Sequence, residues 1–206
     1  MARDHARLIV AIQDDPDWCD LTSSEQSTYV ALLTNRDLSY CGVCPLIPER
    51  FVGTAKDRTA RTFARDLARL EVPRFVVVDR ETAEILVRTY VRHDGILKQR
   101  NITKSMIAAK RKVRSGVIVA AIDDELVRLY RDDPEAKGWV GFEEYDPDGF
   151  TQVQARAKRK GSAKGYRKPS ARASATPSPL SPLPNTQRSK PSSSSSLSNA
   201  RAGDAT

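Results

Sequence analysis

Apolar positions change their period several times along the first 150 residues, and each change predicts an element. Residues 7–12, "RLIVAI", are a short apolar run that suits a strand. "DDPDWCD" then turns the chain, and Thr22-Ser-Ser-Glu25 has the spacing of a helix-capping box. A helix is expected from there to about Thr34, with Tyr29, Val30 and Leu33 as its buried stripe. "LSYCGVCPLI" sets Gly and Pro around a few apolar residues and predicts a short extended piece. Pro48 suits the first turn of a second helix, "PERFVGTA", where its missing N–H costs nothing.

The most periodic stretch is "KDRTARTFARDLARLEVPRF". At 100° per residue Phe63, Leu67 and Leu70 fall together, flanked by Ala60 and Ala64, while Arg58, Arg61, Thr62, Arg65 and Arg69 share the opposite face. This is an amphipathic helix with an apolar back and an arginine front, stopped by Pro73. Two β-branched runs, 74–78 and 85–91, separated by a polar turn, predict a β-hairpin. Helices are expected at about 103–114 and 117–131, punctuated by Ser115-Gly116.

Helix, short strand, helix, tight turn at Lys56–Arg58, amphipathic helix and hairpin follow one another as in a winged helix-turn-helix, an α+β fold. In that geometry the third helix enters the DNA major groove, where arginine bonds guanine O6 and N7 bidentately. Arg58, Thr59, Arg61, Thr62 and Arg65 would then read bases, with Arg69 nearer to phosphate. The hairpin tip, residues 80–84, would be the wing. Asp79, Glu81 and Glu84 are unfavourable beside phosphates, which leaves Arg80 or Arg74 for any contact there. The chain divides into a winged-helix domain (1–95), a helical extension (96–150) and a tail (151–206).

Charge sharpens this picture because it is unevenly placed. The whole chain carries 34 Lys and Arg against 26 Asp and Glu, but from Ala155 onward there are eleven basic residues and one acid, Asp204. The tail is rich in Ser, Pro, Ala, Lys and Arg, has too little apolar surface to offset its ordering entropy, and is expected to be disordered. Residues 98–114, "KQRNITKSMIAAKRKVR", hold seven basic side chains and no acid. Lys98, Lys104, Lys110, Arg111, Lys112 and Arg114 are therefore expected to add phosphate contacts, whose affinity comes from counterion release. Residues 132–148 carry seven acids and one lysine, and are expected to face away from DNA or toward a partner. Merely solvated charge is the competing reading of each of these segments.

"LSYCGVCPLIPERF" and "RFVVVDRETAEILVRTYVRHDGILKQRN", with the helix between them, resemble a family of actinobacterial and actinophage proteins with an N-terminal winged-helix domain. The resemblance runs from about Ala2 to Tyr130, and its most specific element is residues 91–101, "VRHDGILKQRN". Members are similar to phage replication initiators or replisome organisers. The resemblance therefore implies a DNA-binding role in replication or gene regulation, with double-stranded DNA and replication proteins as partners, and supplies no catalytic residue to carry over. Family members are expected to read "AGV.PL" and "KQPN" where this chain has "CGVCPL" and Lys98-Gln-Arg-Asn101, which implies that Cys41 and Cys44 are dispensable for the shared role.

Other chemistries are less well served. A thiol-redox CxxC sits at a helix N-terminus after a strand, whereas Cys41 and Cys44 precede Pro45 in an extended link. A structural zinc needs four ligands, and Cys19, His5 and His93 are scattered. His93-Asp94 has no accompanying nucleophile, the pairs Asp14-Asp15 and Asp123-Asp124 lack the partners of a metal-dependent nuclease, and no phosphate-binding glycine loop is present. No cofactor, metal or enzymatic activity is expected. No apolar run reaches the length of a membrane span and no signal-peptide layout opens the chain, so a cytoplasmic protein, on the nucleoid when bound, is expected. Sequence-specific DNA binding in phage- or plasmid-type replication initiation is the leading expectation. A transcriptional regulator using the same domain is second, and a protein-interaction adaptor third. Only 6% of residues are aromatic, which favours duplex recognition over single-strand stacking.

Overall fold

The computed structural model describes residues 6–159, all within one compact unit of the chain. It is an α+β structure, largely helical, with one small antiparallel sheet. The first element of the described residues is a 3-10 turn, Val10–Asp14, where a strand was expected. Leu8, Ile9 and Val10 are exposed and pair with no sheet edge, so the apolar run has nothing to form a ladder with. A single turn, α1 (Pro16–Cys19), is capped by Asp15, whose side chain accepts the Asp17 N–H. It seats Trp18 edge-on against Tyr29 and Phe75.

Helix α2 (Ser23–Leu33) begins at the expected capping box: Thr22 and Glu25 each accept the other's backbone N–H. Tyr29 and Leu33 are buried as expected, but Val30 is exposed. The inner face instead comprises residues 25, 28, 29 and 32, an i, i+3, i+4, i+7 stripe that includes a glutamate and a threonine. Strand β1 (Val43–Pro45) is preceded by Gly42 at φ +81°. A side chain there would strike the Tyr90 Cβ at 2.8 Å and the Val87 carbonyl at 3.0 Å, so the position demands glycine on two counts. Short helix α3 (Glu49–Val52) stacks Phe51 on Phe63 of α4 (Ala60–Glu71), ring centroids 4.4 Å apart.

The link between α3 and α4 spans residues 53–59, longer than the three-residue turn expected. Phe63, Leu67 and Leu70 of α4 are buried as the periodicity predicts. Rolling α4 by half a turn would expose all three, each worth roughly 1.5–3 kcal/mol. That cost holds the opposite face outward.

Strands β2 (Val76–Asp79) and β3 (Glu84–Val87) form the hairpin, and β3 is the middle strand of the order β1-β3-β2, buried along its whole length. Val43 pairs with Leu86 on one side of β3, and Val77 pairs with the same Leu86 on the other. The second hairpin run stops at Val87 rather than Val91, because residues 90–93 turn into helix α5 (Tyr90–His93).

Four further helices complete the described chain: α6 (Arg100–Lys110), α7 (Gly116–Asp132), α8 (Gly138–Tyr145) and α9 (Pro147–Lys158). The last two lie where sequence suggested only an acidic segment and the start of the tail. Trp139, Phe142 and Phe150 gather with Tyr130 of α7 into an aromatic cluster. Gly138 and Gly141 lie against the backbone of Leu97 and Arg100, so α8 packs closely on the start of α6. Helix α9 continues to Lys158 with Val153 buried, past the tail boundary that composition placed at residue 151. The rest of the expected tail lies outside the described residues. No described helix is long and apolar enough to cross a membrane.

Candidate nucleic-acid interface

Helix α4 is capped by a reciprocal pair. Thr59 Oγ1 accepts the Thr62 N–H, and Thr62 Oγ1 accepts the Thr59 N–H. Both hydroxyls, expected to read bases, are thus engaged in starting the helix. Beyond the cap, Arg61, Ala64, Arg65, Ala68 and Arg69 are exposed on one side. The Arg61 side chain makes no hydrogen bond or ion pair with any described residue. Arg65 and Arg69 are also exposed, at 64% and 56% of their side chains, and each touches one buried acid: Arg65 pairs with Asp66, and the Arg69 Nε lies 3.4 Å from Glu25.

Arg58 is not on this face. It precedes the helix, is 7% exposed, and donates to Thr54 of the α3–α4 link and to Ser27 of α2. The helical wheel placed it with the other arginines only because it assumed that the helix began before Thr59.

Arg58, Asp66 and Arg69 together make a polar seam with Ser24, Glu25, Ser27 and Thr28 of α2. Sequence reasoning missed this seam. Its signal was present: Asp66 lies three residues from Phe63 and four from Leu70, squarely on the apolar stripe.

The hairpin offers little positive charge. Arg80 folds back onto Glu71 at the end of α4, and this hydrogen-bonded ion pair holds its guanidinium above the usual arginine value. Asp79 accepts the Glu81 and Thr82 N–H groups and so forms the turn. Glu84, expected among the acids near the tip, is turned inward, where it accepts the N–H groups of Arg114 and Ser115 ahead of α7. Arg74 is exposed at φ +62°, and its carbonyl accepts the Arg88 Nε.

The basic residues of 98–114 are mostly committed to this chain. Arg100 pairs with Glu144, and Lys104 sits 4.3 Å above the Tyr145 ring. Lys110 pairs with Asp123 and is largely covered, so it leaves the set of expected phosphate contacts. Arg111 donates to the Tyr145 carbonyl, and Arg114 to the Thr82 carbonyl. Lys98 and Lys112 alone in this run have exposed side chains that make no hydrogen bond, ion pair or ring contact with a described residue.

No family model, curated protein or solved structure matches the chain. Chemistry at the site therefore rests on its own residues.

Cys41 and Cys44 are both buried, and burial pushes both thiols up, that of Cys44 to about 12. Such thiols are poor nucleophiles at neutral pH. Cys19 is exposed and donates to the Gln13 carbonyl. The described residues contain no group of three or more His, Cys, Asp or Glu gathered as a metal site requires. His93 is held below its ordinary value, by burial first and by Arg92 second. The neighbouring Glu125 is buried among Arg88, Arg92 and Arg128, which outweigh its desolvation and keep its carboxyl below the usual glutamate range.

Proposed function

We propose that the protein binds double-stranded DNA by laying the exposed face of α4 in the major groove. The observation that carries this reading is the one-sided arrangement of Arg61, Arg65 and Arg69 opposite a buried Phe63-Leu67-Leu70 back. Ala64 and Ala68 between the arginines let a groove approach the helix closely. Successive arginines four residues apart are about 6 Å apart along a helix, close to two base-pair steps of B-DNA. The element order α2-β1-α3-α4-β2-β3 and the strand order β1-β3-β2 agree with a winged helix-turn-helix. In this reading the hairpin is a weak wing, since Arg80 is held by Glu71. Lys98 and Lys112 supply phosphate contacts.

Replication initiation at a phage- or plasmid-type origin is the proposed process, on the sequence resemblance. The test is titration of purified protein into duplex DNA across a salt series, expected to give a steep negative slope of log affinity against log salt. Absence of duplex binding at low salt would refute the reading and leave a protein-interaction role. Sequencing DNA that co-purifies with the protein then separates the processes. A single array of repeats supports initiation, and scattered promoters support regulation.

A further inference from the structure

We infer that Asp66 is a positioning residue: it holds Arg65 in the orientation from which α4 reads bases, and Glu25 does the same more loosely for Arg69. The inference rests on the duplex-binding reading and assigns a determinant of specificity within it.

Asp66 is 1% exposed and lies on the apolar stripe of α4, where packing alone would favour a leucine or an alanine. Its two oxygens divide their work. Oδ2 accepts the Ser24 hydroxyl at 2.5 Å and the Thr28 hydroxyl at 3.2 Å, which locks the carboxyl group to α2. Oδ1 accepts Nε and Nη2 of Arg65, at 3.1 and 2.8 Å. Two donors of one guanidinium converge on one fixed oxygen, so the plane of the group is set by a buried anchor. Of the five N–H donors of an arginine, Nη1 contributes two and Nη2 a second, and these three remain for a ligand. Glu25 is a looser version. Its Oε2 closes the α2 capping box while its Oε1 lies near Arg69 Nε. Arg61 has no such anchor among the described residues.

Two consequences follow for DNA. An arginine already held in place loses less rotamer freedom on binding, so its hydrogen bonds count more fully toward base discrimination. The buried negative charge also offsets the attraction of Arg65 for phosphate, which weakens binding to any sequence. Asp66 thus raises preference and lowers indiscriminate affinity. A purely structural residue would move both in the same direction.

The experiment selects preferred duplexes from a random pool with the full chain. It then compares affinity for a preferred and a scrambled duplex in wild type, Asp66→Ala, Arg65→Ala and the double variant. Asp66→Ala is expected to lower the preference ratio about five- to tenfold, within the range of one bidentate base contact. Its affinity for the scrambled duplex should rise. In the Arg65→Ala background the same change should leave the ratio unaltered, since a coupled pair acts as one unit. If Asp66→Ala does not fold, Asp66→Asn keeps an oxygen acceptor while removing the charge, and its scrambled-duplex affinity should rise. An unchanged ratio in folded Asp66→Ala would overturn the inference, as would an equal loss with and without Arg65, or an Asp66→Asn protein whose scrambled-duplex affinity does not rise. Those results leave the duplex reading standing. Wild-type protein that binds no duplex overturns both.

Discussion

Helix α4 and the segment 98–114 are both arginine- and lysine-rich stretches of similar length, yet the fold uses them in different ways. On α4 three arginines point outward, and two of them only touch acids buried beneath the helix. In 98–114 most of the positive charge is turned onto this chain's own acids, carbonyls and aromatic ring. The first is left exposed to solvent, and the second joins α6 to α7, α8 and the hairpin. A run of like charge in sequence therefore has no fixed meaning. What decides is whether the fold brings partners to it.

The joining role is tested hardest at Glu84. Glu84→Ala leaves the N–H groups of Arg114 and Ser115 without their acceptor, in a region where Ser115 is 1% exposed. The expected loss is about 2–6 kcal/mol, from roughly 1–3 kcal/mol for each of the two orphaned groups. Urea denaturation would measure it, while duplex affinity of the folded fraction should stay near wild type. A large binding loss with little change in stability would erase the distinction between the two regions.

A smaller effect is expected at Glu125, where arginines from β3–α5 and from α7 meet. Its carboxyl titrates below the ordinary glutamate value of 4.5, because Arg92, Arg128 and Arg88 together outweigh desolvation. A lowered folded-state value means that its stabilisation is present above pH 4.5 and lost as pH falls through that lower value. Thermal denaturation between pH 7 and pH 3 should show Glu125→Gln as less stable at neutral pH and the gap to wild type narrowing on the acid side. A constant gap across that range would mean that the carboxylate is not the stabilising form.

The smallest effect belongs to Lys98 and Lys112. Replacing both with alanine should weaken binding to all duplexes alike and reduce the salt slope by about one per lysine. A change in sequence preference would place them among the base-reading residues instead.

How much of this was legible beforehand follows from what sequence period can and cannot encode. The α2 capping box, the Phe63-Leu67-Leu70 stripe and the β2–β3 hairpin were readable because each rests on local spacing. Val30 and the strand at 7–12 were misplaced because apolar character was taken as burial, and neither has a partner surface. Helices α8 and α9 were hidden under acidic composition, although Trp139 and Phe142, then Phe150 and Val153, sit at helical spacing. Within the candidate site the outward arginines were found. Their buried anchors were not, because helical period marks the apolar positions of α4 and assigns no role to an acid, Asp66, that falls among them.

The most direct test of the account is a side-by-side comparison of two double variants with the same change in net charge. Arg61→Ala with Arg65→Ala strips the α4 face, and Arg100→Ala with Arg114→Ala strips the joining segment. Fluorescence anisotropy on one preferred duplex should show the first losing about 1–3 kcal/mol per arginine together with its sequence preference. The second should bind with near wild-type preference. Equal losses in both would contradict the account, because charge alone, and not its placement on α4, would then govern binding.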